Sequence, residues 1–314
     1  MSRHDPSVLE TTLAGIELRN PVLLAAGTAG YVDEMSDVLD LSRIGGLVTK
    51  SITAEAREGN DTWRVVPVRG GMLNAIGLAN LGAEAFEKRF THSLAPMPCE
   101  VIGSIAGSSI EDYVGVASMF ERMGAVRAVE VNVSCPNTED GRTFGEDPSL
   151  LAELIAGLHE VLRSTRLIVK LPPITNERDL LHVSRTCVDA GVDAITLANT
   201  TPAMAIDVHT RKARLANVTG GLSGPSVHPI VVRLVHLVYR GLARDAGLPI
   251  IGLGGVSRWE DAAELILAGA SVVGMGTALF ADPRAPLKIV KGLEWWVRDQ
   301  GEETIEALVG RLES

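Results

Sequence analysis

The chain has 314 residues, 46% of them hydrophobic and 22% charged, and this composition excludes an intrinsically disordered protein. The net charge of −10 argues against a nucleic-acid partner, because phosphate binding requires a surplus of Lys and Arg. No apolar run approaches the length of a membrane-spanning helix, and the N-terminal residues lack the apolar core of a signal peptide. These features predict a cytoplasmic protein without a membrane partner.

The three cysteines are Cys99, Cys135 and Cys187, and they show neither even pairing nor CxxC spacing. Such a set is typical of a reducing compartment. It cannot by itself hold an iron–sulfur cluster or a structural zinc ion, so the sequence predicts no metal site.

Eight short apolar runs recur along the chain, each followed by loop residues and a helical pattern. Continuous hydrophobicity is typical of parallel strands that are buried on both faces. Eight such units without a linker predict an α/β protein, a TIM-type (β/α)8 barrel that spans residues 1–314 as a single domain. An open, doubly wound sheet is the alternative. The predicted strands are Val22–Ala26, Gly46–Thr49, Val101–Ile105, Ala128–Val133, Leu167–Leu171, Ala194–Ala198, Ile250–Leu253 and Val272–Met275.

Two additions to the barrel are visible in the sequence. Before the first strand, Val8–Leu13 and Ile16–Leu18 flank Gly15 and predict a hairpin, placed as a plug beneath the barrel. A long insertion, Ser51–Pro98, follows the second strand and exceeds the usual length of a βα loop. Long loops at the C-terminal ends of barrel strands carry the chemistry of such barrels, so the insertion is a candidate part of the site.

Three of the predicted helices have clear boundary signals. Pro148 suits the first position of one helix, and Glu260 has the spacing of a capping box at the start of another. The predicted helices follow the N-cap residues Asp147, Asn176 and Ser257 and end at Arg163, Gly191 and Gly269.

Polar residues and glycines cluster at the C-terminal ends of the predicted strands, where a barrel builds its active site. Each has an ordinary explanation, since a lysine at a strand end reaches solvent and tight βα turns use glycine. Their concentration at one end of the barrel favours function. They are Lys50, Ser104, Asn132, Lys170, Asn199-Thr200, Gly254-Gly255 and Gly276-Thr277.

The two glycine pairs after the last two strands predict a phosphate site, because backbone amides and a helix N-terminus bind phosphate there. Gly220–Pro225 could add further amides, although a flexible loop explains this stretch equally well. Lys170 lies within Leu-Ile-Val-Lys-Leu-Pro, where a charge is costly to bury without a polar partner. We therefore favour a functional Lys170 over a purely structural one.

Cys135 differs from the other two cysteines because it lies at the polar rim of the predicted barrel mouth, three residues after Asn132. Cys99 and Cys187 fit the role of small buried hydrophobes. Four asparagines fall near the predicted barrel loops, and side-chain amides match the alternating C=O and N–H groups of a pyrimidine or imide ring. They are Asn74, Asn132, Asn137 and Asn199.

The most specific motifs are Met-Leu-Asn-Ala-Ile-Gly-Leu at residues 72–78 and Asn-Val-Ser-Cys-Pro-Asn at residues 132–137. With other segments they resemble the class 1 dihydroorotate dehydrogenases, and most of all the class 1B (NAD-linked) catalytic subunit. The matching segments follow the family order over most of the chain: Asn20-Pro21, Ala26-Gly27, Thr49–Ser51, Gly71–Leu78, Val131–Asn137, Val169–Leu171, Ala198–Thr200, Thr210–Lys212, Thr219–Pro225, Gly252–Val256 and Gly274–Thr277.

The resemblance implies an FMN-binding oxidoreductase that converts dihydroorotate to orotate in pyrimidine (UMP) biosynthesis. Cys135 would take the C5 proton while hydride leaves C6 for the flavin N5. Lys50 would meet the substrate carboxylate and approach the flavin. Lys170 would lie by the N1–C2 carbonyl side of the flavin, where negative charge develops on reduction.

The resemblance also implies two sets of contacts. The substrate would contact Lys50, Asn74, Ala75, Ile76, Gly77, Leu78, Asn132, Asn137, Asn199 and Thr200. FMN would contact Ala26, Gly27, Lys50, Ser51, Ser104, Asn132, Lys170, Ala198, Gly224, Gly254, Gly255, Gly276 and Thr277, the last four at its phosphate.

The electron acceptor follows from the class. Class 1B catalytic subunits pass electrons to an iron–sulfur flavoprotein partner that carries FAD and a [2Fe–2S] cluster and reduces NAD+. This chain has neither a cysteine set for the cluster nor a G-x-G-x-x-G fingerprint, so a partner would supply both. The resemblance also implies a homodimeric core. The alternative is a stand-alone class 1A-type homodimer that uses fumarate.

The chain departs from the family pattern in three places. Ala26–Tyr31 replaces a Ser-Gly-x-Phe-Gly segment, which leaves any FMN contact at Ala26 to the backbone. The loop that runs from Asn137 to Phe144 is short, and the helix between Ser226 and Gly247 is lengthened.

Two other functions remain open from the residues alone. A dihydropyrimidine dehydrogenase-like enzyme fits the barrel, but a substrate carboxylate gives Lys50 a purpose that such an enzyme lacks. A phosphate-binding barrel lyase or isomerase with a Schiff base at Lys50 or Lys170 explains the glycine loops and lysines. It does not explain the asparagines or Cys135.

Overall fold

The structure is a computed structural model that describes residues 6–134 and 143–313. Sixteen strands fall within these residues. In chain order they are β1 (Thr11–Leu13), β2 (Ile16–Leu18), β3 (Val22–Leu24), β4 (Gly46–Val48), β5 (Val65–Val68), β6 (Gly71–Asn74), β7 (Glu100–Ile105), β8 (Ala128–Asn132), β9 (Arg166–Lys170), β10 (Ala194–Leu197), β11 (Thr201–Met204), β12 (Ile206–Asp207), β13 (Lys212–Ala213), β14 (Thr219–Ser223), β15 (Ile250–Leu253) and β16 (Val272–Met275).

Eight of these strands form a closed parallel barrel in the order β3, β4, β7, β8, β9, β10, β15 and β16. The barrel closes because β16 pairs in parallel with β3, which places Gly274 opposite Leu23. The predicted (β/α)8 class is confirmed, and the open, doubly wound alternative is wrong. Each predicted run corresponds to one barrel strand, with ends that agree within two residues.

Nine α-helices are found in the described part of the chain. They are α1 (Ala83–Leu94), α2 (Ile110–Met123), α3 (Pro148–Val161), α4 (Glu177–Asp189), α5 (His228–Val238), α6 (Arg244–Ala246), α7 (Trp259–Ala268), α8 (Ala278–Ala281) and α9 (Ala285–Asp299). Among them, none is long and apolar enough to cross a membrane.

Two of the predicted N-caps are confirmed. The carboxylate of Asp147 accepts hydrogen bonds from the backbone N–H groups of Ser149 and Leu150, over 3.0 and 3.1 Å. The side chain of Asn176 accepts one from the N–H of Asp179 over 3.2 Å. The following helix ends near the predicted stop at Gly191, whose φ is +79°.

The predicted capping box at Ser257 and Glu260 is wrong by one residue. Helix α7 begins at Trp259 with Arg258 as its N-cap. The acidic partner is Asp261, which accepts hydrogen bonds from the N–H and hydroxyl of Ser257 and from the N–H of Arg258. This carboxylate reaches three donors, and so it fixes the helix start one residue later.

The N-terminal hairpin closes the lower end of the barrel, as predicted. Strands β1 and β2 pair antiparallel, and Leu13, Ile16 and Leu18 pack against buried residues at the starts of the barrel strands. The first strand is shorter than predicted, because residues 6–9 form a 3₁₀ turn.

The insertion after β4 and the segment after β10 together form a four-stranded antiparallel sheet with the strand order β11, β14, β6 and β5. The flexible-loop interpretation of Gly220–Pro225 is wrong, since β14 pairs with β6 on one side and β11 on the other. Both neighbours satisfy its backbone groups. A side chain at Gly221 would collide with Thr200, which explains a glycine in a strand interior.

The segment between Ser226 and Gly247 contains more than one helix type. A π-helical turn at Tyr239–Ala243 lies between α5 and α6, and the segment ends at Gly247 in the left-handed conformation. A π-turn accommodates one more residue than an α-helical turn, and this is one way in which a helix of this length can be extended.

Candidate active site

A cavity of about 720 Å³ lies at the C-terminal ends of the barrel strands, where β6 and β14 also line it. It brings together predicted site residues that are far apart in the sequence. These are Ala26, Gly27, Lys50, Ser51, Asn74, Ile76, Leu78, Asn132, Lys170, Ala198, Asn199, Thr200, Gly224, Gly254, Gly255, Gly276 and Thr277.

Other predicted residues are not among those that line this cavity. Ala75 and Gly77 lie beside residues that do, and Ser104 is fully buried. The hydroxyl of Ser104 is 2.8 Å from that of Ser51, so it supports a cavity residue from behind. Cys135 and Asn137 lie outside the described residues, and their predicted roles stay predictions.

The side-chain amides of Asn132, at the end of β8, and Asn199, just after β10, are hydrogen-bonded to each other across the end of β9. Asn199 Nδ2 donates to Asn132 Oδ1 over 3.0 Å and to the hydroxyl of Ser134 over 2.9 Å. Asn132 Oδ1 also accepts from the N–H of Ser134. Both amide hydrogens of Asn199 are therefore engaged in holding its neighbours.

Asn74 reaches the cavity from the sheet above the barrel. Its Nδ2 donates to the backbone carbonyl of Gly221 over 3.1 Å. Two amide atoms then have no hydrogen-bond partner within residues 6–134 and 143–313: the acceptor Asn74 Oδ1 and the donor Asn132 Nδ2. Both residues line the cavity. One acceptor and one donor suit a ring edge that carries N–H and C=O groups.

Lys50 follows β4 and lines the same cavity. Burial lowers the pKa of its ammonium group, and the positive charge of Arg64 lowers it further. The Nε atom of Arg64 is itself buried without a hydrogen-bond partner among the described residues. Two cations near one wall of the cavity favour an anionic ligand.

Arg64 was not predicted from the sequence. It lies ten positions before Asn74 in the insertion, and its carbonyl accepts a hydrogen bond from the N–H of Ala75 over 2.8 Å. The pairing of β5 with β6 therefore carries it towards the site. The available signal was a strand-like Val-Val-Pro-Val run directly after an arginine.

The predicted functional lysine, Lys170, has a buried anionic partner. Its Nζ is 3.4 Å from Glu130 Oε1, and the other carboxylate oxygen accepts a hydrogen bond from the hydroxyl of Thr196 over 2.8 Å. Glu130 was missed because it stands inside an apolar strand. The signal was its spacing, since it lies two residues before Asn132 and thus on the same face of β8.

The loops after β15 and β16 form the predicted phosphate end of the cavity. Gly255 has a φ of +72°, and a Cβ there would lie 2.6 Å from the Cβ of His228. Only glycine fits this crowded position. In the described part of the chain, the N–H groups of Gly255, Gly276 and Thr277 donate to no protein acceptor. Such unpaired amides are suited to phosphate oxygens, so these residues fit the phosphate of a mononucleotide cofactor.

His228 is a second residue that the sequence did not reveal. It is buried, its Nδ1 is 2.9 Å from the carbonyl oxygen of Gly254, and its Nε2 is 3.1 Å from the carboxylate of Glu264. The two ring nitrogens therefore contact the Gly254 carbonyl on one side and the Glu264 carboxylate on the other. The contact joins the glycine loop to helices α5 and α7.

A closed (β/α)8 barrel whose mouth holds hydrogen-bonded side-chain amides, and backbone amides without a protein acceptor among the described residues, is typical of a barrel enzyme that binds a cofactor. Comparison with known proteins identifies the family. The dihydroorotate dehydrogenase family model matches residues 8–296. The chain belongs to the dihydroorotate dehydrogenase family, whose members are flavin-dependent oxidoreductases.

Several relatives align over nearly the whole chain. The dihydroorotate dehydrogenase B (NAD(+)) catalytic subunit of Pelobacter propionicus is 44% identical over 97% of this chain and 98% of its own length. The protein of the same name from Geobacter sp. strain M21 is 42% identical over the full length of both chains. A putative dihydroorotate dehydrogenase A (fumarate) of Aquifex aeolicus is 40% identical over 96% of this chain and 97% of its own. The predicted resemblance to the class 1B catalytic subunits is confirmed.

The fold is also shared with a more distant solved structure. The dihydroorotate dehydrogenase of Eimeria tenella, in complex with ferulenol, superimposes with a TM-score of 0.82 at 20% identity. The match covers 99% of this chain and 90% of that one.

Proposed function

We propose that this chain oxidises dihydroorotate to orotate, the redox step of pyrimidine biosynthesis, with FMN as its cofactor. The observation that carries the proposal is that one cavity, lined also by Lys50, holds an acceptor, Asn74 Oδ1, and a donor, Asn132 Nδ2, neither of which has a hydrogen-bond partner among the described residues. A flat ring with an N–H, a C=O and a carboxylate matches this combination. The names of the relatives support the same substrate.

FMN fits the remainder of the cavity. The unpaired amides of Gly255, Gly276 and Thr277 would hold its phosphate, and Lys170 would lie near its ring. Bound FMN supplies the acceptor for the two electrons that leave the substrate. The contacts of Ala26, Gly27, Ser51, Ala198 and Gly224 with FMN belong to this proposal, as does the support of Ser51 by Ser104.

The residues of the chain bind, orient and deprotonate the substrate. Lys50, whose pKa the charge of Arg64 helps to lower, would hold the carboxylate, and the amides of Asn74 and Asn132 would fix the ring edge. Asn199 would keep Asn132 in place, and Ile76, Leu78, Thr200 and Asn137 would complete the pocket. Cys135 would take the C5 proton, because a C–H beside a carbonyl is a weak acid that needs a positioned base.

Turnover of alternative substrates tests the proposal. The chain purified with FMN should oxidise dihydroorotate with an artificial dye as acceptor, and orotate should inhibit it more tightly than uracil. Lys50→Met should lose this preference for the carboxylate-bearing compounds. Equal turnover of dihydroorotate and dihydrouracil would contradict the assignment. A borohydride-trapped adduct on Lys50 or Lys170 would instead support the lyase alternative.

For the terminal acceptor, we infer NAD+, reached through a partner subunit that carries FAD and a [2Fe–2S] cluster and joins a homodimeric core of this chain. The relatives named as catalytic subunits of a NAD(+) enzyme support this choice. The relative named as a fumarate enzyme makes fumarate the second candidate. Co-purification of an iron–sulfur flavoprotein with NAD+-linked turnover supports the first, and fumarate-linked turnover by the isolated chain supports the second.

A cytoplasmic location is part of the same proposal. Pyrimidine synthesis uses soluble intermediates, and the described cysteines Cys99 and Cys187 are unpaired.

A further inference from the structure

A buried ion pair lies beside the cavity, inside the barrel. The Lys170 ammonium is 3.4 Å from Glu130, and the two side chains are 8% and 2% exposed. Strand register places both on the interior of the barrel, since Asn132 pairs with Lys170 and Glu130 lies two residues earlier on the same face of β8. Lys170 lines the cavity, whereas Glu130 does not.

Thr196 fixes the orientation of the carboxylate. Its hydroxyl donates to Glu130 Oε2 over 2.8 Å, and the residue is fully buried. Register places Thr196 opposite Lys170, so the three side chains come from the adjacent strands β8, β9 and β10. The carboxylate thus contacts a cation with one oxygen and a hydroxyl with the other.

Stability does not explain this arrangement. The interior of such a barrel is ordinarily filled by branched apolar side chains. Well-packed apolar residues in place of a buried ion pair often leave a protein as stable or more stable, because desolvation offsets the attraction between the charges. The pair therefore points to a function in the adjacent cavity. The carboxylate of Glu130 holds the flexible four-carbon side chain of Lys170 in one position and partly neutralises its charge.

We propose that Glu130 is a positioning residue that sets how much positive charge Lys170 presents to the flavin, and thereby the reduction potential of the bound cofactor. The inference rests on the proposed FMN site. Reduction places negative charge on the flavin, so a less neutralised Lys170 favours the reduced form. The carboxylate of Glu130 therefore keeps the potential lower than Lys170 alone would make it.

The test compares flavin potentials in three variants of the FMN-loaded chain. Glu130→Gln keeps the size of the side chain and removes its charge, and it should raise the potential. A tenfold gain in the preference for reduced flavin corresponds to about 30 mV for a two-electron couple. Lys170→Met should lower the potential. The double variant, Glu130→Gln with Lys170→Met, should return towards the wild-type value because the net charge of the pair is restored.

The double variant keeps the test decisive if Glu130→Gln does not fold, since a neutral pair carries no uncompensated charge. A double variant with the potential of Lys170→Met alone would overturn the inference, as would a folded Glu130→Gln protein with the wild-type potential. Thr196→Val is the matched control, because it removes a hydrogen bond while both charges remain, and its shift should be the smaller one. Failure of the wild-type chain to bind FMN would instead count against the proposed function.

Discussion

Asn199 donates a hydrogen bond from its side-chain amide to the side-chain oxygen of Asn132 over 3.0 Å. This contact links the end of β8 to the segment after β10, and the second amide hydrogen of Asn199 goes to Ser134. The role implied for Asn199 by family resemblance was direct contact with the substrate ring. Its hydrogen bonds instead favour a support for Asn132, whose own Nδ2 is left for a ligand.

Asn199→Asp tests this support. The carboxylate still accepts from the N–H of Thr200, but it loses both donors and faces the oxygen of Asn132. Two hydrogen bonds at about 1 kcal/mol each correspond to roughly a 30-fold rise in KM for dihydroorotate. FMN content should be unchanged. Asn217→Asp, at an exposed position, is the control, and an unaltered KM in Asn199→Asp would refute the bracing role.

Lys50→Met should weaken substrate binding and stabilise the flavin-free protein. Burial and Arg64 lower the pKa of Lys50 in the folded chain, so below that pKa the buried charge costs stability in full. Between the lowered pKa and the ordinary value of 10.5, the unfolded chain binds more protons and stability rises with pH. The variant should lack this rise.

Thermal unfolding of the flavin-free protein from pH 7 to 10 measures the rise of stability with pH. Steady-state kinetics measure the weaker binding of substrate. Loss of a hydrogen bond to a charged group, about 1.5–3 kcal/mol, predicts at least a tenfold rise in KM. Arg64→Met should also reduce the rise of stability with pH, but by a smaller amount, because Arg64 is the lesser cause of the lowered pKa of Lys50. A variant less stable than wild type at pH 7 would contradict the account of Lys50.

Cys135→Ala should retain FMN and lose turnover by about 10²- to 10⁴-fold, the contribution of a positioned base. Single-turnover reduction of the flavin separates this step from electron transfer to the acceptor. Cys187→Ala is the control, since Cys187 is buried in α4 and burial raises the pKa of its thiol to about 12. Near-wild-type turnover in Cys135→Ala would remove it from the base role.

His228→Phe should weaken FMN binding about fivefold to tenfold. A flat aromatic ring is kept, but the hydrogen bond to the Gly254 carbonyl is lost, at about 1 kcal/mol. The glycine loop beside the phosphate then loses its link to α7. Fluorescence titration with FMN gives the dissociation constant, and riboflavin, which lacks the phosphate, should show a smaller change. An equal loss for both flavins would place the effect elsewhere.

Glu121 should stabilise the folded chain at neutral pH, and this stabilisation should be lost in acid. Burial raises the pKa of its carboxyl, but hydrogen bonds from Thr165 and Ser164 outweigh burial and lower the pKa to about 2. Its stabilisation is complete above the ordinary value of 4.5 and is lost as pH falls towards 2. Urea unfolding should show Glu121→Gln about 1 kcal/mol less stable at pH 7, with the gap closing in acid. A gap that persists at pH 2 would contradict this.

The barrel could be predicted from the sequence because its strands are largely buried on both faces and therefore predominantly apolar. The sheet above it could not. Its strands β6 and β14 include glycines and polar residues such as Asn74, and their pairing depends on partners about 150 positions away. Strand patterns in a single sequence carry no record of such distant partners.

The candidate site shows the same division. Lys50, Asn132 and Lys170 were predictable because each stands at the C-terminal end of a barrel strand. Glu130 and His228 were not, since one lies inside an apolar strand and the other is the first residue of helix α5, and both act through neighbours that only the fold supplies.

The most direct test of the central claim is an anaerobic absorbance spectrum of the purified chain. We expect the bands of bound FMN near full occupancy, and we expect dihydroorotate to bleach them in wild type but not in Cys135→Ala. A colourless chain that cannot be reconstituted with FMN, or a flavin band that dihydroorotate leaves untouched, would contradict the account.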